Sequence, residues 1–320
     1  MTHSFKLSRR IARLRAPVLV AVMLTAAACN SDDPFTPDNN TLTPPSEPNT
    51  QDGGQELTEI GPSLATSFDG GIPMGLFHLP SSDYGSRYNG GVYTPGTSAL
   101  LSYLQAARAR GGKVMLSLSG SQKYYKDAAG HFSLSKWKAR IDRFRTVNFA
   151  QYINDGTVIG HYLIDEPYDA HNFAGQKVSA STLDEMARYS KQIWPGMATV
   201  VRAEPYLIPG SYRYLDAAWA QYLVRKGNVN DYIKRNVSTA QNMGLALVVG
   251  LNVPDGGTNN GVMTPSQVQN FGSTLLGSSY PCAFVSWKYG PSALETSGIK
   301  SAMDALRRKA ENRTTKSCRG

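Results

Sequence analysis

From about residue 60 onward, short apolar runs alternate with amphipathic stretches. Runs at 72–79, 113–119, 158–164, 198–203, 214–222, 245–253 and 283–289 are rich in Val, Ile, Leu, Ala and aromatic residues and read as buried strands. The segments between them carry helix signals. Thr97 is placed to cap a helix that runs to Arg110 and stops at Gly111-Gly112. Ser135 opens a helix with Trp137, Ile141 and Phe144 on one face. Thr182 with Glu185 forms a capping-box pattern, and that helix ends before Pro195. Asn230 opens a helix closed by Gly244, and Thr264-Pro265-Ser266-Gln267 combines a cap, a proline at the first helical position and a glutamine at the third. A last helix spans about 297–312. Strand–helix alternation of this length predicts a parallel sheet wrapped by helices. A domain over 61–320 fits a single (β/α)8 barrel of the α/β class, with an eighth strand expected near 63–68 or in a long loop. The other architecture with this alternation is a doubly wound open sheet. Its glycine-rich phosphate-binding fingerprints, Gly-x-Gly-x-x-Gly and Gly-x-x-x-x-Gly-Lys-[Ser/Thr], are absent.

Ahead of this domain the pattern is different. Residues 1–29 hold Lys6, Arg9, Arg10, Arg13 and Arg15 with no acid, then an apolar run from Ala16 to Ala28, which is too short to span a bilayer. The run ends in small residues before Cys29. It resembles a bacterial lipoprotein signal, which implies lipidation at Cys29 and a cell-envelope location on the outer side of a membrane; a plain secretory signal is the alternative. Residues 30–60 are rich in Asn, Pro, Thr, Asp and Gly and read as a disordered tether. The formal net charge of +9 owes much to the leader: without it 28 Lys and Arg face 24 Asp and Glu. No basic stripe interleaved with aromatics is present, so nucleic acid is not an expected partner. Export also makes the cysteines readable. Cys282 and Cys318 are free to form a disulfide tying the last strand to the C-terminal tail, two unpaired thiols being the alternative. No Cys-based or His-Glu-x-x-His metal motif and no Gly-x-Ser-x-Gly elbow is present; no cofactor is expected, and neither is a partner chain.

In a barrel the functional positions are the C-terminal strand tips. Those tips read His78, Ser119, Asp165 with Glu166, Glu204, Gln221, Asn252, and Trp287 with Lys288. Adjacent carboxylates at the end of an apolar strand are costly unless solvated, paired or used. Glycosidic cleavage needs one protonated carboxyl for the leaving oxygen and a second carboxylate as nucleophile or base. Glu166 is the acid candidate, because a negative neighbour favours its protonated form. Consecutive strand residues point to opposite faces, so Asp165 is expected to orient Glu166 or bind a hydroxyl. The second carboxylate is then Glu204, which precedes Pro205 on the next strand, about 4.8 Å away; Asp165 is the alternative. Bland readings stand beside these. Asp165 serves equally as a turn cap, Glu204 as a structural partner of Arg202 or Arg213, and His78 and His161 as core histidines. Trp287 is a core aromatic by default and a sugar platform by position. Tyr168 lies in the loop after the fourth strand, on the side where a cleft opens, and its ring with a polar tip suits a sugar face.

Tyr162-Leu163-Ile164-Asp165-Glu166-Pro167 resembles the Asn-Glu-Pro strand ending of clan A glycoside hydrolases, and Ser286-Trp287-Lys288 resembles the last strand of those barrels. Counting back from Trp287 as the eighth strand makes 158–164 the fourth, where that resemblance implies the acid/base at Glu166. It further implies a poly- or oligosaccharide substrate and a role for Trp287 under the sugar. Asp165 stands where the family has Asn, and the seventh strand ends in Asn252-Val253-Pro254-Asp255 with no Glu at the nucleophile position. The expectation is an exported glycoside hydrolase-like protein. The alternative is a glycan-binding surface lipoprotein without catalysis.

Overall fold

A computed structural model describes residues 70–319. The signal at 1–29, the tether at 30–60 and the strand position at 63–68 lie outside the described residues. Eight parallel strands close into a barrel: β1 Met74–Phe77, β2 Gly90–Tyr93, β3 Lys113–Leu116, β4 Val158–Asp165, β5 Thr199–Arg202, β6 Ala217–Tyr222, β7 Ala246–Leu251 and β8 Ala283–Ser286. Each strand pairs with its sequence neighbour, and β8 closes on β1 with Met74 opposite Phe284. The helices are α1 Leu100–Arg108, α2 Leu134–Asp142, α3 Ala150–Asn154, α4 Ala180–Ile193, α5 Val229–Asn242, α6 Pro265–Gly277, α7 Pro291–Leu294 and α8 Ser297–Glu311. The seven expected strands are all present, each trimmed or shifted at its ends, and 158–164 is the fourth. The eighth, β2, lies in the long loop after β1.

Helix starts depart from expectation by up to a turn where several capping residues compete. Ser179, not Thr182, caps α4, its Oγ accepting from the Thr182 backbone N–H. Ser133 caps α2, and Asn228 caps α5. The box at Thr264 forms as expected, with Thr264 and Gln267 satisfying each other's backbone N–H.

Period-two alternation divides the strands between two cores. One face packs against the helices. The other fills the barrel, where Phe77, Tyr162, Trp219 and Trp287 meet at ring separations of 4.5–6.0 Å. Four large rings from β1, β4, β6 and the end of β8 leave a packed plug, as an eight-stranded barrel requires. The N-terminal end is closed by the Cys282–Cys318 disulfide, which belongs to this interior cluster and draws the C-terminal tail under the barrel. Close strand approach on β7 explains Gly250, since a Cβ there would lie 1.7 Å from the Val285 carbonyl oxygen.

Candidate functional site

The C-terminal mouth is organised by an irregularity in β4. Pairing with β5 shifts between Tyr162 and Ile164, and this sets Asp165 opposite Arg202. The Leu163 carbonyl at the bulge accepts from the buried Trp137 indole N–H at 2.9 Å and from Ser119 Oγ at 3.4 Å. Glu166 then turns into the left-handed region, with φ at 41°, while its backbone N–H donates to the Arg202 carbonyl at 3.0 Å. That conformation costs about 1–2 kcal/mol for a residue with a Cβ and is held by the surrounding bonds. Among the described residues His78, at the tip of β1, is another side-chain-bearing residue with positive φ, so two strained tips face the same mouth.

Bulge and turn together cancel the alternation expected of Asp165 and Glu166. Both carboxylates reach one guanidinium: Arg202 Nε donates to Asp165, and Nη2 lies 2.9 Å from Glu166 Oε1. The Nη1 group donates to the Gln221 side-chain carbonyl. Three adjacent strands thus share one polar network. The Arg202 side chain is 11% exposed, Asp165 25% and Glu166 35%. Burial alone would lower the pKa of Arg202, but Asp165 and Glu166 reverse this and raise it above the usual arginine value, so it is a permanent cation. Tyr168 Oη donates to Glu166 Oε1 at 3.3 Å, and burial followed by the Glu166 charge pushes its pKa upward, so it remains a donor. Beneath Asp165, burial and that carboxylate also push the Tyr162 hydroxyl well up.

Glu204 is placed differently from expectation. It does not face Glu166 as an open second carboxylate. Its side chain is 2% exposed; Lys226 donates to it, the Asn236 amide lies 3.5 Å away and Arg235 3.8 Å away. The chain turns at Ala203, whose N–H bonds the Val201 carbonyl, and carries Glu204 toward α5. Its cationic partners come from beyond β6, not from Arg202 or Arg213. Burial lowers the Lys226 pKa, with Glu204 acting against this.

The other expected contacts divide. Trp287 is 8% exposed, with the Arg202 guanidinium 4.7 Å from its ring centroid and Phe77 at 4.5 Å. Its ring is covered, so it supports Arg202 and is not an open sugar platform. Gln221 is buried, with its carbonyl on Arg202, and its amide nitrogen has no partner among the described residues. Asn252 turns its side chain to the loop, accepting from the Asp255 N–H at 3.1 Å. Lys288 is half-buried after β8. His78 is exposed, stacked on Phe77 at 4.4 Å with Nε2 at 3.5 Å from Thr94 Oγ1. His161 is a core residue on the outer face of β4, sandwiched by Trp137 and Trp194. Arg202 is offered by the sequence only as a structural partner for Glu204. It is the hub of the site, and its signal was present: two residues beyond the inward Val200, it is the inward tip of β5. Lys226 and Asn236 had no comparable signal.

Neither a family model nor a curated protein matches this sequence. Solved structures do. An endoglucanase from Pseudomonas stutzeri superposes with a TM-score of 0.52 at 12% identity, over 78% of this chain and 98% of that one. The fold is a (β/α)8 barrel. A GH18 chitinase from Pseudoalteromonas aurantia (TM-score 0.46, 14% identity, 73% and 99% of the two chains) is also similar. So is a β-1,4-D-mannanase from Cryptopygus antarcticus (0.49, 12%, 74% and 90%). At these identities the likeness is one of fold, and the chemistry rests on the residues at the mouth.

Proposed function

We propose that the barrel mouth takes a poly- or oligosaccharide and cleaves a glycosidic bond, with Glu166 as the acid. The observation that carries this reading is the convergence of Asp165 and Glu166 on Arg202 at the C-terminal tips. Two carboxylates share one cation, so a single guanidinium holds both in place at the mouth. Glu166 is the more exposed of the two and the one reached by Tyr168. A sugar closing over it removes water from around this carboxyl, while Asp165 keeps the guanidinium. In the cell this activity belongs to an exported protein held at the envelope by a lipid on Cys29. Glycan binding without cleavage is the second reading. It is favoured by Glu204, which the Lys226 pairing withdraws from the role of second carboxylate.

The test is reducing-end release by the purified protein from a polysaccharide panel, with Glu166→Gln alongside and calorimetry on the same glycans. Loss of general acid catalysis lowers cleavage by about 10²–10⁴-fold in the variant. Equal cleavage by both proteins excludes Glu166 as the acid. Glycan binding with no cleavage selects the second reading.

A further inference from the structure

Charge is divided unevenly along this chain. Residues 30–69 hold eight of the 24 acids and no Lys or Arg, so the 28 basic residues beyond the leader face only 16 acids in 70–319. The excess concentrates near the C-terminus. Residues 307–319 carry Arg307, Arg308, Lys309, Arg313, Lys316 and Arg319 against a single acid, Glu311, which Arg307 holds at 2.7 Å. This segment lies across the end of the barrel opposite the mouth. The Ile72 N–H donates to the Ala310 carbonyl at 3.1 Å, Thr315 Oγ1 to the Gly71 carbonyl at 3.2 Å, and Arg313 to the Leu276 and Pro281 carbonyls. Cys318 is joined to Cys282, just ahead of β8. Arg308 and Lys309 are exposed in the last turn of α8. Lys316 Nζ rests 4.0 Å from the Tyr280 ring centroid, where burial and then the Arg313 charge push its pKa down; burial lowers that of Arg313 as well. Arg308, Lys309, Arg313, Lys316 and Arg319 have no acid within ion-pair distance among the described residues.

We propose that this base docks on an anionic lipid surface, through Arg308, Lys309, Arg313, Lys316 and Arg319. Cations gathered on one face without acids attract an outside counter-charge. A headgroup layer presents many phosphates in one plane, which suits five cations spread over a helix end and a tail. The place where the chain enters the barrel points the same way: Gly70 and Gly71 adjoin the basic tail. The presence of a membrane there rests on the envelope reading of Cys29, 40 residues before the described chain begins. Forty residues are enough chain to let either end of the barrel meet the surface, so the charge is what selects the base. Docked in this way, the barrel turns its mouth, with Asp165 and Glu166, away from the lipid and toward polymer outside.

The experiment is cosedimentation of chain 30–320, which contains the whole barrel and has no Cys29 to acylate, with vesicles. One set mixes phosphatidylglycerol and phosphatidylcholine equally; the other is phosphatidylcholine alone. The expected result is binding to the anionic set only, lost between 0.01 and 1 M salt as the screening length falls from about 30 to about 3 Å. Each cation near such a surface is worth about fivefold in affinity, so Arg308→Gln/Lys309→Gln/Lys316→Gln/Arg319→Gln weakens binding at least about 10²-fold. Lys123→Gln/Lys136→Gln/Lys177→Gln/Lys234→Gln removes the same charge from exposed lysines outside the tail and changes binding less than about threefold. Circular dichroism melts check the fold. If the tail variant melts early, Arg308→Gln/Lys309→Gln, both exposed, carries the comparison with at least about tenfold weakening. Equal binding to both vesicle sets, no binding to the anionic set, or equal weakening by the two fourfold variants overturns the proposal. Binding that appears only in chain 70–320 also overturns it, because the acidic residues 30–69 then occupy the base in place of lipid. Any of these results leaves Glu166 as the acid untouched. Acylation of Cys29, read by mass spectrometry of the membrane fraction of expressing bacteria, tests the envelope reading on its own.

Discussion

His161 makes the stability of this barrel fall with acid in a window that its burial defines. The side chain is fully buried on the outer face of β4. Its Nδ1 is 2.8 Å from Ser190 Oγ, and Trp137 and Trp194 each lie 5.9 Å from its ring. Its Nε2 is buried with no partner among the described residues, so a second proton there would be a charge without solvation. Burial lowers its pKa from 6.5 to about 3. The unfolded chain therefore binds a proton that the folded chain refuses. Stability from this residue is complete above the unfolded pKa and is lost as pH falls from about 6.5 toward about 3. One pKa unit is about 1.4 kcal/mol, so moving from pH 8 to pH 4.5 costs roughly 2.7 kcal/mol through His161 alone. Carboxylates titrate in the same range, and a paired comparison cancels them. Wild type and His161→Leu/Ser190→Ala, which removes the imidazole and its hydroxyl partner together, are unfolded in urea at both pH values with the disulfide intact. The stability difference between them shifts by about 2–3 kcal/mol in favour of the variant at pH 4.5. A difference that stays constant within about 0.5 kcal/mol shows that His161 accepts its proton in the fold, and the burial argument fails.

Other features give sharp outcomes as well. Lys226→Met strands Glu204, whose side chain is 2% exposed, and lowers stability by about 3 kcal/mol; adding Glu204→Gln recovers most of it, both read by chemical denaturation. Reducing Cys282–Cys318 releases a constraint across 36 positions, which the chain-entropy estimate puts at about 3–4 kcal/mol, visible as a melting temperature lower by roughly 6–16 °C. Gly250→Ala sets a Cβ 1.7 Å from a neighbouring strand's carbonyl and opens the β7–β8 pairing, with a loss above about 3 kcal/mol or failure to fold in a circular dichroism melt.

What the sequence made legible follows from which rules the chain obeys locally. Seven strands announced themselves as apolar runs, and counting them put Asp165-Glu166 on the fourth strand. The strand that hid was β2, Gly90-Gly91-Val92-Tyr93. Packing demands its glycines: a Cβ on Gly90 would lie 2.7 Å from the Pro73 Cβ, and one on Gly91 2.8 Å from the Tyr84 hydroxyl. A strand built from glycine for the sake of its neighbours has no β-propensity to read. The site was misjudged at the points where alternation stops. Period two separates Asp165 from Glu166, but the register shift before Ile164 and the positive φ at Glu166 bring them together. Neither event has a signature in Leu163-Ile164-Asp165-Glu166.

Glu204 shows the opposite failure. Its sequence context, a carboxylate and a proline after an apolar strand, echoes Glu166, yet Lys226 and Asn236, 22 and 32 residues onward, decide its environment. The two glutamates differ in what neutralises them. Glu204 has Lys226 closest to it, with Arg235 at 3.8 Å, in a site nearly closed to water, and that is a structural pairing. Glu166 has half a claim on Arg202, because Asp165 and Gln221 hold the rest of the guanidinium, and its side chain remains open to the mouth. A carboxylate that is oriented by a cation but not fully neutralised by it, in a strained backbone position at a strand tip, is what an acid/base residue requires. The distinction between the two comes from shared partners rather than from sequence motif, and Arg202 is therefore the residue on which the functional reading turns.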